Sequence, residues 1–268
     1  MRNRRTGAHL AIHDDAGGRW RTAAVLTGVL LAGLPGHAAR ADDAAGALFT
    51  AERYKLTFGE YLYDNHGRHY TGQDLNLHYL RDAWSLWIGH YFDRAFGAQT
   101  RAGADGSWQP LPQLPLTVQP ALQAATQGFV GGALNAQLGQ TWYGVVGWGR
   151  TNLRPYQNLN FDPNDAFTVG FGYHAANGNS FSLTTIHDDR LHTGQRHTHA
   201  VAQLLLPHQS RLTLDLLRKT GRGADGALCA WGGIVTLDIV HGFIRAAWDP
   251  KQNFGTADAF RISVGRRF

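Results

Sequence analysis

Past Phe49 the chain keeps one rhythm: apolar side chains at every second position over roughly ten residues, then a turn. In residues 165–174, Phe167, Val169, Phe171 and Tyr173 fall on one face and Thr168, Gly170, Gly172 and His174 on the other. Leu212, Leu214 and Leu216 oppose Arg211, Thr213 and Asp215. Trp231, Val235, Leu237 and Ile239 oppose Gly232, Thr236 and Asp238. Successive strand side chains point to opposite faces, so each segment has one apolar face and one polar or glycine-rich face. A soluble antiparallel sandwich shares this alternation. Segment length separates the two readings, since soluble strands cluster near five or six residues, whereas a tilted membrane strand needs about ten. Aromatics sit near segment ends at Tyr54, Trp84, Trp142 and Trp248, as interfacial girdles require.

The final segment, ADAFRISVGRRF, ends on Phe268, and stepping back by twos gives Arg266, Val264, Ile262 and Phe260. Arg267, Gly265, Ser263 and Arg261 take the other face. This strand resembles the C-terminal strand of Gram-negative outer-membrane β-barrels. The resemblance implies that Phe260, Ile262, Val264 and Phe268 form the signal read by the barrel-insertion machinery. It also implies a location in the cell outer membrane, with outer-membrane lipid and lipopolysaccharide as partners. Arg266 departs from the pattern, but at a membrane interface an Arg costs only ~0–1 kcal/mol.

The N-terminus fits export. Arg19 and Arg21 precede the short apolar run Thr22–Leu34, and Ala39-Arg40-Ala41 is a small-residue cleavage pattern. These are the three parts of a secretory signal, predicting a signal peptide over 1–41 and a single mature domain over 42–268. The run is shorter than the ~20 apolar residues of a membrane helix, and charges interrupt every later apolar stretch. Residues 1–41 hold six of the 25 Lys/Arg and two of the 20 Asp/Glu, leaving 19 against 18 and a net charge of +1 in the mature part. The basic balance therefore belongs to the signal, and nucleic acid is excluded as a partner. One Cys excludes a disulfide framework and a Cys-based zinc site.

The predicted fold is all-β: a closed antiparallel transmembrane barrel of fourteen strands, or twelve if segments are merged around the links at 95 and 107–113. Closure supplies a partner for every strand N–H and C=O inside lipid. Tight links at 81–83, 139, 176–178, 207–208 and 240 are expected at the periplasmic end. Longer links at 64–69, 151–164, 188–194, 220–225 and 250–257 are expected outside.

The faces opposite the apolar ones define a candidate pore lining: Asp74, His78, His174, His197, His199, Arg211, Asp215, Asp238, Arg245 and Arg261, with Lys55, Asn76 and Asn135 beside them. Arg and His outnumber Asp there, which favours anions. The Asn-, Pro- and Asp-rich stretch 149–165 has two readings: ordinary turn chemistry, or a loop folded inward with Arg150 and Arg154 facing Asp162 and Asp165. His197 and His199 share a face, a spacing that can chelate a metal given a third ligand such as His192, Asp188 or His174; a polar lumen wall is the simpler reading, and no metal or cofactor is assigned. No G-x-S-x-G occurs, and Asp74, His78 and Ser85 are only a loose set, so no catalytic residue is assigned. The expected function is a passive pore for small solutes. A lipid A-, phospholipid- or polysaccharide-modifying barrel enzyme, or a docking barrel for an exported polymer or a phage, stands as the alternative.

Overall fold

The computed structural model describes residues 52–159, 164–188, 190 and 193–268. The expected signal peptide, the lead-in to residue 51, Asp162 and His192 lie outside the described residues. Fourteen antiparallel strands, each paired with its chain neighbours, close into one barrel when β1 pairs with β14. In chain order they are β1 Tyr54–Asn65, β2 Arg68–Arg81, β3 Trp84–Asp93, β4 Gly97–Gly106, β5 Leu116–Ala125, β6 Phe129–Gly139 and β7 Trp142–Thr151. The second half is β8 Ala166–His174, β9 Ser180–Asp188, β10 Arg196–Leu206, β11 Ser210–Gly223, β12 Gly226–Ile239, β13 Gly242–Asp249 and β14 Asp258–Arg267. The twelve-strand alternative is thus excluded. The start of β1 and the end of β14 share one rim, here the near end; the opposite rim is the far end.

The alternation read from sequence sets the two faces. Leu56, Phe58 and Leu62 of β1, Leu86 and Ile88 of β3, and Ile262 and Val264 of β14 all point outward, and Leu122 of β5 and Trp142 of β7 are two-thirds exposed. An apolar belt of this extent far exceeds the few-hundred-Å² patches that soluble monomers tolerate. It is the surface that a closed sheet presents to hydrocarbon, with its backbone bonds all internal. Rings thicken the belt at the near end, where Tyr54 packs on Tyr79 and Phe268 and Trp142 packs on Tyr173. No described helix is long and apolar enough to cross a membrane.

Two links expected as long outer loops are tight turns instead. His66 and Gly67 alone join β1 to β2, both at positive φ (52° and 79°), the conformation whose twist matches the flanking strands. Gly67 supplies that conformation without a Cβ penalty, and its N–H donates to the Asp64 carboxylate at 2.8 Å. Likewise β11 and β12 run on through 220–223 and leave only Ala224 and Asp225 between them. The short link at 94–96 is held by Asp93, whose Oδ1 accepts the N–H groups of Ala95 and Phe96 at 2.6 and 2.5 Å. The long link at 107–115 lies at the near end. There Pro120 has no N–H to offer β4, so the β4–β5 ladder stops at Asp105–Ala121 and resumes only as a bridge between Trp108 and Val118.

Candidate functional site

The barrel interior is divided between a filled far half and an open near half. Among the described residues the filling comes from two far-end loops. Residues 152–159 turn into the lumen: Tyr156 stacks on Phe129 at 4.0 Å and donates to Gln123. Gln157 and Gln99 bond twice, side chain to backbone, at 2.8 and 3.0 Å. Leu159 ends buried among Tyr61, Tyr63, Tyr91 and Ala259, and its carbonyl accepts from Arg261 at 3.1 Å. Burial raises the pKa of the Tyr156 hydroxyl, so this loop brings a neutral phenol into the lumen.

The second loop, between β13 and β14, locks onto the first through Asn253 and Asn158, each donating its side-chain amide to the other at 2.8 and 3.1 Å. Its anchor is Lys219 of β11, fully buried, which donates to Asp249 at 2.7 Å and to the carbonyls of Pro250 and Lys251. A buried ammonium is tolerable only with such pairing and hydrogen bonding. A third tie fastens the root of the first loop: Asp165 accepts from Arg190 at 2.7 Å and from the Thr151 hydroxyl at 2.7 Å.

The near half holds a cavity of about 370 Å³. Its walls carry six cations, Lys55, Arg101, Arg211, Arg245, Arg261 and Arg267, against three carboxylates, Asp74, Asp105 and Asp238. Tyr156 and Leu159 bound it on the far side. The sheet register explains the room. Arg245 of β13 lies opposite Ser263, and Ser263 opposite Gly59, so a large side chain projects over small ones. Arg267 and Arg211 converge on Asp238 at 2.6 and 3.7 Å, and Arg245 donates to the neutral Thr236 hydroxyl. On the facing wall Arg101 donates to Asp74 at 2.6 Å and to Asn76 at 3.1 Å. Gly89 makes this cluster possible, since a Cβ there would lie 2.0 Å from the Asn76 amide oxygen. Five cations and Asp238 thus stand on β11 to β14 and β1, while Arg101 stands with Asp74 and Asp105 on β2 and β4.

Of the ten expected lining residues, Asp74, His78, Arg211, Asp238, Arg245 and Arg261 meet in the cavity. The other four also face inward but do not line that cavity. His199 Nδ1 is 2.9 Å from Asp215, His197 stacks on Phe254 of the second loop at 5.2 Å, and His174 stacks on Tyr143 at 4.7 Å. Among the described residues no three His, Cys, Asp or Glu side chains are arranged to hold a metal. The loose set Asp74, His78 and Ser85 forms no triad: His78 and Ser85 are 3.4 Å apart, and Asp74 is held by Arg101 and Asn76.

In the inward-loop reading of 149–165, Arg150 and Arg154 face Asp162 and Asp165, of which Asp162 lies outside the described residues. β7 extends to Thr151, so the period of two turns Arg150 outward, where its guanidinium lies 4.5 Å from the Trp148 ring centre. Arg154 is exposed, and Asp165 is engaged by Arg190 and Thr151. Phe260, Ile262 and Val264 share the outward face of β14 with the terminal Phe268. Arg267 is absent from the expected lining although the same count by twos from Phe268 puts it inward. Arg101 left no such signal, because the outward residues of β4 are Ala98, Thr100, Ala102 and Ala104.

No protein-family model matches the chain, and no curated protein matches its sequence. Among solved structures, the outer membrane protein Omp33 of Acinetobacter baumannii is similar with a TM-score of 0.53 at 10% identity, over 81% of this chain and 98% of that one. The chain has the fold of that outer-membrane barrel. The NanC porin (TM-score 0.42, 12% identity, 80% of this chain and 100% of that one) and Salmonella typhi OmpF in complex with daunomycin (0.41, 12%, 80% and 96%) are more distant.

Proposed function

We propose that the protein is an outer-membrane channel for small solutes that favours anions. The observation that carries this reading is the basic near-half cavity inside a barrel with an apolar exterior. In this reading the signal expected over 1–41 exports the chain, and the near end, where β1 starts and β14 ends, faces the periplasm with the far end outside. Solute approaching from the periplasm meets walls with six cations to three carboxylates, and a ring of that sign attracts anions and repels cations. The interdigitated loops narrow the far half and set the limit on size.

The test is reversal potential across a planar bilayer in a KCl gradient. Refolded protein is expected to pass chloride in preference to potassium. Arg211→Glu combined with Arg245→Glu replaces two cations by two anions, which gives four cations against five carboxylates in the cavity and is expected to carry the preference toward potassium. Unchanged selectivity in that variant contradicts the assignment of the near-half cavity to the conduction path.

A further inference from the structure

The far part of the outer face across β9, β10 and β11 breaks the apolar belt in an ordered way. The register lines outward side chains into rows across these strands and β12. The outermost row that crosses all four strands is His187, Arg196, Thr220 and Cys229, with Arg222 one step farther out on β11. Next come Thr185, Thr198, Arg218 and Trp231, with the two Thr hydroxyls 3.1 Å apart and the Arg218 guanidinium 5.8 Å from the Trp231 ring centre. Below these the rows turn apolar: Leu183, Ala200 and Leu216, then Phe181, Ala202 and Leu214. Directly opposed strand residues stand about 5 Å apart. Ala200 and Ala202 therefore floor a shallow furrow walled by Phe181 and Leu183 on one side and Leu214 and Leu216 on the other. The furrow leads up to two arginines, a histidine and three threonines.

Among the described residues no carboxylate faces outward in the two polar rows. The other side of the same rim carries carboxylates, with Asp64 and Asp258 in one outward row with His69. Guanidinium beside hydroxyl donors, set at the edge of an apolar belt, suits phosphate oxygens. We propose that this patch is a binding site for a phosphate-bearing lipid of the outer leaflet, its acyl chain in the furrow and its phosphate between Arg196 and Arg218. The proposal rests on the membrane reading above.

The test uses the full mature chain refolded in detergent micelles doped with diphosphorylated lipid A, or with the same lipid after removal of both phosphates. Native mass spectrometry reads the lipid retained. The unaltered protein is expected to retain the phosphorylated lipid, and Arg196→Gln with Arg218→Gln to lose at least about tenfold in retention, one decade being the loss of 1.4 kcal/mol. Arg81→Gln, at the near rim, is expected to retain it fully, and the dephosphorylated lipid to show no difference among the three proteins. Should the double variant fail to fold, Arg196→Gln alone is expected to lose retention in the same direction. Equal retention by folded variants overturns the lipid site alone, as does displacement of the lipid by an equal concentration of inorganic pyrophosphate. Protein that stays monodisperse without detergent and shows no heat-dependent gel mobility overturns the membrane reading and this site with it.

Discussion

Excising residues 153–159 raises single-channel conductance several-fold and admits larger solutes, because that segment carries the side chains that fill the lumen. Tyr156 and Leu159 form the far boundary of the cavity, and Leu159 is held inside the tyrosine cluster. A fourteen-stranded barrel is too wide for its wall side chains to fill, so what enters the lumen decides what passes. The strands keep all their ladder bonds in this variant, so folding is expected to persist, read as heat-dependent mobility on gels. Tyr156→Gly with Leu159→Gly makes a milder test: the loop stays, its bulk goes, and conductance rises by a smaller factor. Conductance unchanged in both variants would sink the idea that this loop limits the path.

Lys219→Met is the second large effect, and it acts on stability. The ammonium is fully buried and donates to Asp249, Pro250 and Lys251. Removing one partner of a buried pair leaves a charge in low dielectric, at a cost of roughly 3–5 kcal/mol. Urea unfolding in lipid vesicles measures it. Lys219→Met with Asp249→Leu is expected to recover much of the loss, since an apolar pair of similar volume often replaces a buried ion pair with little penalty. The single variant also frees the second loop at its root, so its channels are expected to fluctuate between conductance levels that the parent lacks.

Strand faces were legible because a membrane barrel obeys the period of two without exception along each strand. Counting from Phe268 turns Val264 out and Arg261 in, and the same count along β10 puts His197 and His199 inside. The signal faded where the outward face lacks bulk. On β4 the outward alanines give no apolar stripe, and Arg101, a principal cavity cation, went unread. It also faded at strand ends. Arg150 belongs to β7 rather than to the loop that follows, so its side chain joins the outer face. The filling of the far half has no local signature at all. It depends on contacts such as Gln99 with Gln157 and Asn158 with Asn253, between residues that only the closed barrel brings together. Hence the inward loop was one of two readings, and its partners in the tyrosine cluster and at Lys219 were not foreseen.

The most direct test of the account is the reversal potential of the unaltered protein in a planar bilayer under a tenfold KCl gradient. Discrete channels are expected, with a reversal potential of the sign of chloride preference, set by the excess of arginine and lysine over aspartate in the near-half cavity. Channels that prefer potassium, or a correctly inserted barrel that never conducts even after residues 153–159 are removed, would contradict the account.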